Sequence, residues 1–203
     1  NQITAFHPGA MGEAHRNKVA NAKGISLGIV APDGRDAMIQ HGHDFAAENI
    51  PFMFDPGQNL PLFSKEELMT FLDQATWCVM NDYESQLMMN TTGESINTLA
   101  KQVDALIVTR GGEGSVIYTH GDEFEIPTVN VDNAVDPTGC GDAYRAGLLL
   151  GLERGWDWQT SGRVGSLIGA IKVQQEGTQN HQFLMDEFAQ QYEAHFERTL
   201  PQN

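Results

Sequence analysis

Residues 136–146 read DPTGCGDAYRA, a loop of small residues that runs straight into an apolar stretch with helical spacing, AYRAGLLLGLERG. Glycines at 139 and 141 let the backbone turn its amides toward one point, and the helix that follows adds the positive end of its dipole there. The pattern predicts an anion pocket with Asp142 beside it. That carboxylate can take a proton from an attacking hydroxyl while the amides stabilise a phosphoryl group in transit. The same residues equally describe a Gly-rich turn in which Asp142 caps a helix, so the rest of the chain must decide.

Outward from the loop, apolar periodicity switches repeatedly between strand and helix. SLGIVAP (26–32) and PFMFDPG (51–57) read as buried strands, and RDAMIQHGHDFAAENI between them has helical spacing, which makes a βαβ unit. KEELMTFLDQA and WCVMND repeat the helix-to-strand pattern, followed by short helices around YESQLMM and ESINTLAKQ and a further strand, ALIVTRG. VIYTHG and DEFEIPTVNV form a predicted hairpin that turns at Gly121 and Asp122. QTSGRVGSLIGAIKVQQ and MDEFAQQYEAHFERTL close the chain with helical spacing. The expected fold is α/β, with a mostly parallel central sheet and helices on both faces. No linker, repeat or low-complexity segment interrupts residues 1–203, so one domain is the simplest account. The start, NQITAFHPGAM, has neither an initiator Met nor a leading βαβ unit, as if the chain enters partway through a fold.

Composition narrows the function classes. A formal charge of −15, from 27 acidic and 12 basic side chains, repels nucleic acid and anionic membrane surfaces. A phosphate-bearing ligand must therefore be held by local dipoles and a metal ion. Without a transmembrane-length apolar run or a signal-peptide pattern, the expected location is cytoplasmic. Cys78 and Cys140 are expected as free thiols. His41, His43 and Asp44, in H-G-H-D, read as a solvated helix face, since positions i and i+2 of a helix do not face one another.

Three motifs in order, NDYE (81–84), VTRGGEG (108–114) and DPTGCGD (136–142), resemble the ribokinase or PfkB family of carbohydrate and nucleoside kinases. The family's D-T-x-G-A-G-D loop is carried here with Pro137 inserted and Cys140 in place of the usual small residue. The resemblance implies a ribokinase-like fold whose N-terminal strands and lid are absent, 1–203 being the C-terminal portion of a single kinase domain. It implies that Asp142 is the catalytic base and that Gly139, Cys140 and Gly141 supply the anion hole. Asn81 and Glu84 would organise Mg²⁺, largely through water, which suits an ion that sheds its hydration shell reluctantly. Thr109, Gly111, Gly114, Ser166 and Asn180 would line the nucleotide site, and Asp136 and Thr138 match positions that hold a monovalent cation such as K⁺ in some relatives. The implied cofactors are ATP and Mg²⁺.

Taken on their own residues, NDYE is also a helix cap with Glu84 in an exposed first turn, and VTRGGEG a strand-to-hairpin turn. The thiol of Cys140, at a helix N-terminus, is open to a lowered pKa, with inert packing as the plainer role. DPGQNLP (55–61) and GTQN (177–180) resemble bacterial adenosine-kinase-like members, so the expected acceptor is a ribose-containing nucleoside, with a phosphosugar kinase or a truncated, non-catalytic nucleotide-binding module as alternatives. Relatives often dimerise through the lid, which makes a homodimer an expectation for the full-length protein.

Overall fold

A computed structural model describes residues 7–201. The first six residues of the odd opening segment lie outside the described residues. Six strands form one mostly parallel sheet in sequence order, β1 to β6. The chain divides into two compact units, 1–106 and 107–203.

In the first unit, β1 (Gly28–Val30), α1 (Arg35–Ala47) and β2 (Phe52–Phe54) make the predicted βαβ turn, with Ile29 opposite Met53 in a parallel register. β2 is buried throughout, as a strand covered on both faces must be, which is why it reads as an uninterrupted apolar run. α2 (Lys65–Gln74) begins with a capping box in which the Ser64 side chain accepts from the Glu67 amide and the Glu67 carboxylate accepts from the Ser64 amide. Its Phe71 stacks on Phe54 at 4.2 Å between ring centroids, fastening the helix over the sheet. β3 (Trp77–Asn81), α3 (Asp82–Thr92) and α4 (Ile96–Ala100) follow as the spacing predicts.

β4 (Ala105–Thr109) carries the chain into the second unit. There β5 (Ser115–Thr119) and β6 (Glu123–Ile126) form the predicted antiparallel hairpin, closed by a 2.9 Å bond from the Thr119 amide to Asp122 O. α5 (Cys140–Glu153) and α6 (Trp158–Val173) lie unusually close. A Cβ on Gly147 would sit 2.6 Å from Gly165 Cα, and one on Gly165 would sit 2.8 Å from Tyr144 O. Only two glycines facing one another permit that approach. α7 (Met185–Phe196) packs Phe188 and Tyr192 into a cluster with Val164, Leu167 and Ile168 of α6.

Candidate active site

The close α5–α6 contact fixes where α5 begins, and with it the loop of residues 136–142. Gly139 is the N-cap, at φ +86°, and a Cβ there would lie 2.8 Å from Thr178 O. The left-handed conformation and the lack of room both call for glycine. One turn further, fully buried Ser115 of β5 shares a 2.6 Å hydrogen bond with the Tyr144 hydroxyl, and burial pushes the phenol up to about 12. Tyr144 is therefore a neutral anchor for α5 over the hairpin.

Above the start of α5 lies a cavity of about 420 Å³. Its wall includes Thr109, Gly111, Gly114, Pro137, Cys140, Gly141, Tyr144 and Ser166. Asp142 is exposed in the first turn of α5, so its carboxylate faces solvent and not the core. The three expected anion-hole amides are not equivalent. Cys140 N–H already donates to Pro137 O at 3.1 Å, a turn bond made by the residue that departs from the family loop. Among the described residues nothing accepts from the amides of Gly139 and Gly141, so these two, at the positive end of the helix, remain to meet an anion.

The loop is anchored behind Cys140. Asp136 accepts the Thr138 amide on Oδ1 and the Gly177 amide on Oδ2, each at 2.9 Å. These bonds, the Thr138 amide foremost, hold its carboxyl below the usual range. Lys172, with no exposed side-chain surface, donates to Asp136 O at 2.7 Å and to Gln175 O at 3.2 Å. Burial raises the Cys140 thiol, opposite to the lowering expected at a helix terminus.

A profile of the pfkB family carbohydrate kinases matches residues 1–183. The chain belongs to that family. Among proteins of the pfkB family, the Methanocaldococcus jannaschii nucleoside kinase is 38% identical over 142 residues, covering 70% of this chain and 47% of that protein. The Burkholderia thailandensis nucleoside kinase, solved in complex with inosine, matches with a TM-score of 0.96 at 46% identity, over 98% of this chain and 65% of that one. The solved structure of the M. jannaschii enzyme gives 0.89 at 33% identity, over 96% and 64%. The chain thus spans about half the length of the curated relative and about two thirds of the solved chains.

The other residues drawn from the pfkB motifs fall into three groups. Thr109, Gly111, Gly114 and Ser166 line the cavity, and a Cβ on Gly114 would collide with the backbone at Ile126, so the hairpin also requires glycine there. Asn180 is exposed, donates to Glu176 O at 2.9 Å and is not part of the cavity wall. Asn81 and Glu84 belong to the first unit and form a reciprocal cap on α3: Asn81 Oδ1 accepts the Glu84 amide at 2.7 Å and Glu84 Oε2 accepts the Asn81 amide at 2.8 Å. The cap and a hydrated Mg²⁺ are compatible, because among the described residues no donor meets Glu84 Oε1. Among those residues no cluster of three or more His, Cys, Asp and Glu side chains is placed to hold a metal, so any ion here must keep water or phosphate ligands. His41 and His43 bond separately, to Asn17 O and the Gln74 amide, and do not converge.

Sequence reasoning placed Thr128, Asn130 and Val131 in the second hairpin strand, DEFEIPTVNV, but β6 ends at Ile126, before Pro127, and these residues line the cavity from irregular backbone. It also missed Lys172. That residue follows Ile168 by four and Val164 by eight, on the apolar stripe of α6, and a charge on a buried stripe was the available signal.

Proposed function

We propose that this chain is the C-terminal portion of an ATP-dependent kinase domain that transfers the γ-phosphoryl group to a hydroxyl of a ribose-containing nucleoside. One observation carries the reading. An exposed carboxylate, Asp142, stands in the first turn of α5 directly after Gly141, whose unbonded amide belongs to the wall of a cavity of about 420 Å³, while the N-cap Gly139 leaves a second amide unbonded at the same helix end. The likeness to nucleoside kinases, one of them solved with inosine and another complex of it with ADP-inosine, supports a nucleoside over a free sugar.

In this reaction the acceptor hydroxyl oxygen forms a bond to the γ-phosphorus as the bond from that phosphorus to the β,γ-bridging oxygen breaks. The hydroxyl proton passes to Asp142, and ADP leaves with the electron pair of the broken bond. The amides of Gly139 and Gly141 hold charge on the migrating group, and the α5 dipole adds to them. The wall from Thr109 to Gly112 and from Ser166 to Val173 takes the nucleotide. Glu84, its rotamer fixed by the α3 cap, would hold Mg²⁺ through water, the ion that supplies positive charge to phosphate in such transfers. A panel of nucleosides, sugars and phosphosugars, with ATP binding and ADP release measured separately, tests the assignment. Nucleosides are expected to give the largest kcat/KM; a preference for a phosphosugar, or ATP binding with no acceptor phosphorylated, contradicts it.

A further inference from the structure

The resemblance to ribokinases points to K⁺ at Asp136 and Thr138, but those atoms are already committed. Asp136 Oδ1 takes the Thr138 amide, Oδ2 takes the Gly177 amide, and the main-chain oxygen takes the Lys172 ammonium at 2.7 Å. These donors leave lone pairs on the Asp136 carboxylate, but the Lys172 ammonium already occupies its main-chain oxygen and stands 4.0 Å from Oδ2, so a K⁺ ion at the same residue would sit beside a buried like charge.

We infer that Lys172 is the built-in cation of the phosphate loop, a positioning residue whose ammonium does the work of a bound monovalent metal and makes the protein independent of one. Its surroundings are those of a cation site. The side chain is completely buried and its Nζ meets Asp136 O, Gln175 O at 3.2 Å and, more distantly, Asp136 Oδ2 at 4.0 Å. It lies in the last turn of α6, where the helix dipole favours a positive charge. Such a charge is tolerated away from water only when compensated, and here a carboxylate, two carbonyls and a helix C-terminus provide that. The contact is also placed to matter. The amides of Val135 and Asp136 both donate to Val173 O, at 2.8 and 3.0 Å, so Lys172 and its neighbour clip the start of the loop onto α6. Three residues beyond Asp136 the chain reaches Gly139, the N-cap of α5, whose amide has no acceptor among the described residues.

The inference rests on the phosphoryl-transfer reading of that loop, and ADP affinity reads it independently of turnover. ADP binding by calorimetry and nucleoside phosphorylation are to be compared in potassium and tetramethylammonium buffers, for wild type, Lys172→Met and Lys172→Ala. Wild type should be indifferent to the buffer. Loss of a charged hydrogen-bonding partner should weaken ADP binding by about 10- to 100-fold in both variants. Added ammonium or K⁺ should restore Lys172→Ala, which leaves an oxygen-lined space, and not Lys172→Met, which fills it. A merely structural lysine would give a loss that no cation repairs. Activation of wild type by K⁺, wild-type ADP affinity in folded Lys172→Met, or a folded Lys172→Ala indifferent to cations overturns the inference. Should neither variant fold, the two-buffer comparison on wild type decides. Wild type that binds ADP equally in both buffers but phosphorylates no nucleoside refutes the proposed function and not the role of Lys172.

Discussion

Gly139→Ala and Gly141→Ala make the same chemical change two residues apart, and the structure demands opposite outcomes for the fold. At 139 the backbone is left-handed, φ +86°, and the added Cβ would sit 2.8 Å from Thr178 O and 3.3 Å from Thr178 Cα, main-chain atoms with no easy escape. The conformational penalty of about 1–2 kcal/mol and the overpacking penalty of about 1–3 kcal/mol act together, for a destabilisation of about 2–5 kcal/mol. That is a large share of the roughly 5–15 kcal/mol that holds a domain together. At 141 the new methyl meets only the far end of the flexible Arg145 side chain, at 2.5 Å, rather than backbone. Alanine there also gains up to about 1 kcal/mol of helix propensity, so a net change within about 1 kcal/mol is expected. Urea denaturation with far-UV circular dichroism measures both. Equal stability of the two variants, or a Gly139→Ala cost under about 0.5 kcal/mol, would refute the reasoning from loop geometry.

Two further predictions use groups whose roles can be separated. Glu84→Gln keeps an acceptor for the α3 cap and removes the charge, so stability should hold while the Mg²⁺ requirement rises about 10-fold or more, as for a partner acting through water. An unchanged Mg²⁺ titration would leave Glu84 with the cap alone. The Asp136 carboxyl is depressed in the folded state, so its contribution is present above the ordinary carboxylate pKa and lost as pH falls through the lowered folded value. The stability gap between wild type and Asp136→Asn, read from denaturation midpoints, should therefore be widest near neutrality and narrow in acid; a gap that does not depend on pH contradicts this.

Local signals carried most of the fold. The apolar runs of β2 and β3, the helical spacing of α1 and α2, and the turn at Gly121 and Asp122 depend on neighbours in sequence, and each lies where the pattern puts it. The loop was legible for the same reason, since small residues before a helix need no distant partner. Details set by individual hydrogen bonds, near or far in sequence, were not. Lys172 in GAIKVQQ shares the apolar stripe of Val164 and Ile168, but what holds its charge there is visible only once Asp136, 36 residues earlier, supplies its partner. The Cys140 amide reads as free until Pro137 O is seen to take it. Asn180 reads as a pocket residue, yet an oxygen four residues back in its own chain claims the side chain. Residues 128–131 read as a continuation of the hairpin strand, yet they line the cavity from irregular backbone beyond Ile126.

The most direct measurement is single-turnover phosphoryl transfer by Asp142→Asn, with ATP affinity determined on the same sample. The side chain is exposed, so the substitution leaves the core untouched. Loss of a general base predicts a fall in the transfer rate of about 10²- to 10⁴-fold with ATP affinity unchanged. A rate within about threefold of wild type, with the nucleotide bound normally, would contradict the assignment of proton transfer to this carboxylate.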